Sequence, residues 1–212
     1  MAPIAATKPD QISSIRNHLD ETRAWFSRKE TIAQIEDVVP ATQQWLEDNE
    51  EHYPPSLTRT AGPWRTIPQP TSDAGKRRAR LRGLGYQVYE HGMLNFLDRL
   101  SDVGVVEKPV PIEIRALATD SDTIPVIEQL IMDENGSFDL VELAAQFGLS
   151  QRTAPAKARD RQLIRLVSVG LLLARTDGRG YTITLGPVAK IFYRGVFAAM
   201  IEKFEKDMEG SP

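Results

Sequence analysis

Lys157, Arg161 and Arg165 recur at intervals of four residues, the spacing that stacks side chains on one face of an α-helix. Cations in such a row can hold phosphate oxygens, and an Arg fork also fits a guanine edge. Arg152 precedes the ladder, and Arg179 follows it inside Asp177-Gly178-Arg179-Gly180, so a helix start and a turn tip would present charge to the same polyanion. Between Gln151 and Gly180 seven bases, counting Arg159 and Arg175 with these, meet two acids, Asp160 and Asp177. An ordinary solvated helix face also carries Lys and Arg with acids nearby, and Asp160 is such an acid. A second cluster, Lys76, Arg77, Arg78, Arg80 and Arg82, holds five bases in seven residues and no acid. Bases near a helix start oppose the helix dipole, a cost that a bound phosphate would offset. A solvated loop-to-helix junction accounts for the same residues without a ligand.

Other chemistry has little to stand on. The chain has 212 residues, a net charge of −3 and no cysteine, so disulfides and thiolate metal sites are excluded. His18, His52 and His91 stand apart, with no second ligand at metal spacing. No GxSxG elbow, Gly-Lys-Ser/Thr phosphate loop or GxGxxG is present. We therefore expect a protein that is not an enzyme and that uses no cofactor and no metal. The start, MAPIAATKPDQ, lacks a signal-peptide pattern, and no apolar run is long enough for a membrane span. A cytoplasmic protein is the expectation. The acids concentrate in the first 51 residues and the C-terminal tail, so the charge is segregated along the chain.

The elements that must position these residues follow from periodicity. Ile12, Ile15, Leu19 and Phe26 have helical spacing. Ser27 and Glu30 have the form of a capping box for a second helix reaching about Val38, with Ile32, Ile35 and Val39 inward. Pro40 suits the first turn of a third helix through Glu51. Residues 52–75 hold five prolines and little periodicity, and read as a loop or linker. A long helix resumes at Lys76, with Tyr86, Tyr89, Met93, Phe96, Leu97 and Leu100 on one face, and ends at Gly104. Val105-Val106 and Ile112-Glu113-Ile114 read as two short strands.

The next segment, 122–186, has a distinct order of elements. Ile124 to Ile131 form a helix and Ser137-Phe138 a short strand. Asp139 caps a second helix, and Gly148-Leu149-Ser150 makes a tight turn. Pro155 opens a third helix that ends at Gly170. Leu171 to Thr176 and Tyr181 to Leu185 are strands joined through Gly178 and Gly180. The stretch LAAQFGLS, the helix ending RLVSVGLL and the hairpin ARTDGRGYTITL together resemble the winged helix-turn-helix superfamily over about 65 residues. SQRTAP, between the turn and the third helix, is longer than the family pattern and leaves the docking angle open.

The resemblance implies a mainly α fold with small β-hairpin wings. Its third helix would read the major groove of double-stranded DNA through Arg152, Lys157, Arg161 and Arg165, with Arg179 on the wing. RLSDVGVVEKPVPIEIRAL parallels RLVSVGLLLARTDGRGYTITL, with Gly104 and Gly170 as the anchor pair, so residues 76–118 could be a first winged-helix unit elaborated by helices in residues 1–51. The C-terminal helix, 187–212, carries Val188, Phe192, Val196, Met200, Phe204 and Met208 at a spacing of four. Such a stripe either docks on the core or pairs with a twofold mate, with Phe192, Val196, Met200 and Phe204 as the interface. Two functions are expected of this plan. One is a dimeric, nucleoid-associated transcriptional regulator. The other is an assembly subunit similar to the tandem winged-helix kite type, which binds a kleisin-like chain in chromosome-organising or plasmid-defence complexes.

Overall fold

Helix α4 (Asp73–Asp102) is the axis of the molecule in the computed structural model, which describes residues 9–50, 72–119, 123–132, 138–139, 163–177 and 180–210. Tyr89, Met93, Phe96, Leu97 and Leu100 are all fully buried on one side of it, as their spacing of three and four requires. The helix starts before Lys76, because Ser72 Oγ accepts the Gly75 amide at 3.1 Å and caps it.

Three helices precede it: α1 (Pro9–Phe26), α2 (Lys29–Asp37) and α3 (Val39–Asp48). The expected capping box at Ser27 does not form. Its hydroxyl turns back and donates to the Arg23 carbonyl of α1 at 2.7 Å, and α2 begins after Arg28 with no side-chain cap. Pro40 lies in the first turn of α3 as expected. Trp25 Nε1 donates to the Val105 carbonyl at 3.1 Å, which ties the end of α1 to the end of α4.

The second strand of the expected first hairpin is a helix. Residues Ile112–Ala118 form α5, whose first turn is held by the Pro111 carbonyl accepting the Ile114 and Arg115 amides at 3.0 and 3.1 Å. Val105 and Val106 are buried but belong to no strand, and the Lys108–Pro109 bond is cis. Alternation over Ile112-Glu113-Ile114 would bury both isoleucines; instead Ile112 is 77% exposed while Ile114 and Ala118, one turn apart, are buried. Docking on α4 fixes this outcome, through Tyr89 Oη donating to the Ala118 carbonyl at 2.7 Å and through an Arg115–Asp98 ion pair.

Helix α6 (Thr123–Met132) and strand β1 (Phe138–Asp139) follow. Residues 163–168 are helical and end in a turn at Gly170. Strands β2 (Leu172–Asp177) and β3 (Gly180–Leu185) form a hairpin, and β1 adds to β3, so the antiparallel order is β1-β3-β2. Asp139 lies in β1 opposite Thr182; the helix it is expected to cap lies outside the described residues. α1 packs against β2, and α6 against β3.

The two anchor glycines are built alike. Gly104 and Gly170 have φ of 79° and 70°, the left-handed region that glycine enters without a Cβ clash. In each, the glycine amide bonds three residues back, to Ser101 and Val167, and the next amide bonds to Leu100 and Leu166. This is the Schellman pairing. The likeness stops there, since β2 follows one and a loop into α5 follows the other.

The C-terminal run is continuous from α7 (Pro187–Ile191) through a π-helical turn (Phe192–Phe197) into α8 (Ala198–Glu209). At 3.6 residues per turn, a spacing of four drifts by about 40° per step. A π turn is wider, advances less per residue and takes part of that drift back. Val188, Phe192, Val196, Met200 and Phe204 thus all stay buried, within 3% exposure. The partner surface is this chain's own α4, with Phe96 and Tyr89 centroids 5.6 and 5.9 Å from that of Phe192. A Cβ on Gly92 would already press on Leu46 and Phe192 at 3.1 and 3.2 Å. Phe192, Val196, Met200 and Phe204 are therefore core residues and not the face of a twofold contact. Burying them within the chain leaves none of that apolar area for a mate.

Candidate nucleic-acid interface

Of the residues expected to meet DNA, Arg165 is the one the structure describes in the third helix. It is half-buried, and its carbonyl accepts the Ser168 hydroxyl at 2.7 Å. Arg152, Lys157, Arg161 and Arg179 lie outside the described residues. The helical segment carrying Arg165 turns Leu163, Leu166 and Val167 into the core, which leaves the Arg165 side to the boundary with solvent. The Schellman turn at Gly170 then delivers the chain into β2.

The hairpin adds a candidate that the helix-centred reading passed over. Leu172 and Ala174 are buried whereas Arg175 is exposed, and its cross-strand partner Thr182 is exposed too. On the other face, Ala174 pairs with the buried Ile183. Period-two alternation in LLARTD carries this signal, so Arg175 was within reach of the sequence. Arg165 and Arg175 are the two bases that this segment contributes among the described residues.

The second basic cluster is displaced from the position expected of it. Because α4 begins at Asp73, Lys76 falls at the end of the first turn, and Arg77 and Arg78 lie further in. Asp73 places one negative charge in the first turn: it pairs with Lys76 at 3.3 Å, both side chains being largely exposed. So open a pair contributes at most a few tenths of a kcal/mol. The side chains of Arg77, Arg78, Arg80 and Arg82 lie outside the described residues.

Electrostatics elsewhere centre on α6 and the π turn. Burial raises the Glu128 carboxyl above its ordinary range. Burial also holds the Tyr89 and Tyr193 phenols protonated far beyond their ordinary value, and Glu128 adds to this by charge repulsion. Tyr89 has its hydrogen bond to Ala118, whereas the buried Tyr193 hydroxyl has no partner among the described residues. Among the described residues no three His, Asp or Glu side chains cluster as metal ligands would, and no helix is long and apolar enough to cross a membrane. No family model, no curated protein and no solved structure matches the chain.

Proposed function

We propose that the chain is a non-enzymatic winged-helix protein that binds double-stranded DNA on the nucleoid as a regulator. In this reading the helix ending at Gly170 enters the major groove and the β2–β3 hairpin is the wing. The observation that carries it is the antiparallel order β1-β3-β2, with a helix before β1 and a helix ending directly ahead of the hairpin. That is the order of elements in a winged helix, whose groove-facing parts would then carry the basic residues of 151–180. Arg165 and Arg175 are the described members of that set; Arg152, Lys157, Arg161 and Arg179 complete it from the sequence.

Fluorescence anisotropy of the whole chain with random duplex DNA, across a salt series, tests this reading. Affinity is expected to fall steeply with salt, and changing Lys157, Arg161 and Arg165 together to Ala should flatten that slope by up to about three charges. Unchanged affinity in the triple variant defeats the proposal.

A second reading, an assembly subunit bound to a kleisin-like chain, is favoured by two observations. The net charge is −3, and α1 packs against β2, so that one side of the hairpin is engaged inside the molecule. Its tandem form loses support, because α5 occupies the place of the first wing. Co-purification with an ATPase and a partner chain, without DNA binding at low salt, would select it. A homodimer, under either reading, has to use a surface other than the Phe192–Phe204 stripe.

A further inference from the structure

We draw no further inference here: the strongest candidate, the apolar groove that α2, the start of α3 and the C-terminal run form around Ile32, Val39, Pro187 and Ile191, carries nothing, because Arg194 already has a partner within the chain, the charges of Lys190 and Glu36 then balance, and nothing in the structure shows what covers the groove.

Discussion

The ring of Phe26 occupies the space in which a side chain at Gly170 would stand: a Cβ built there would lie 2.7 Å from Phe26 Cε1 and 2.9 Å from Val188 Cγ2. Gly170 is thus fixed twice, by its positive φ and by the last residue of α1. Gly186 closes the same junction, since its amide bonds to the Leu171 carbonyl at 2.9 Å and a Cβ on it would overlap the Gly170 carbonyl. One small region joins α1, the helix ending at Gly170, both hairpin strands and α7.

Gly170→Ala should therefore cost about 2–5 kcal/mol, from the left-handed backbone and overpacking together. Gly104 shares the backbone conformation but has nothing within 4 Å of its would-be Cβ. Gly104→Ala should cost only about 1–2 kcal/mol. Urea denaturation of the two variants checks the ordering, and equal losses would refute the role given to Phe26.

Phe192→Ala should destabilise the monomer by about 3–5 kcal/mol, as deletion of a fully buried ring does. The oligomeric state at matched fraction folded should not change. A shift to smaller species in sedimentation with stability intact would instead return this stripe to a dimer interface.

Two tyrosines in ring contact, with centroids 5.6 Å apart, should respond oppositely to loss of the hydroxyl. Tyr89→Phe removes a donor from the Ala118 carbonyl and should cost about 1 kcal/mol. Tyr193→Phe removes a buried hydroxyl with no described partner and should be neutral or stabilising. Thermal melts of both variants decide it.

Glu128 sets a pH dependence with a definite sign. Its pKa is raised in the folded state above the ordinary 4.5, so the native protein favours the protonated form. The associated stability is fully present below pH 4.5 and is lost as pH rises through the higher folded value. Glu128→Gln should be more stable than the parent at pH 7, with the difference shrinking towards zero near pH 4. A pH-independent difference would show that the carboxyl is not responsible.

Arg175, exposed on the hairpin beside Thr182, should contribute to DNA affinity if the wing touches the backbone. Arg175→Ala is then expected to lower the salt slope by about one charge while leaving Tm unaltered. Unaltered binding would remove the hairpin's outer face from the interface.

The sequence by itself determined the elements whose signal is local. The α4 face from Tyr89 to Leu100, the glycine ends at 104 and 170 and the paired strands β2 and β3 are legible because periodicity and backbone freedom belong to a few neighbouring residues. Tertiary packing decided the rest. Three residues, Ile112 to Ile114, satisfy a period of two as well as a helix, and only docking of Ala118 and Arg115 on α4 separates them. Ser27 had two acceptable partners, and the Arg23 carbonyl took its hydroxyl. The spacing of four from Val188 to Phe204 announced an apolar stripe but not its partner, because an apolar face is satisfied equally by its own chain or by another. The groove of α4 was available without loss of translational freedom, and that physical advantage is a property of the folded chain, not of the stripe.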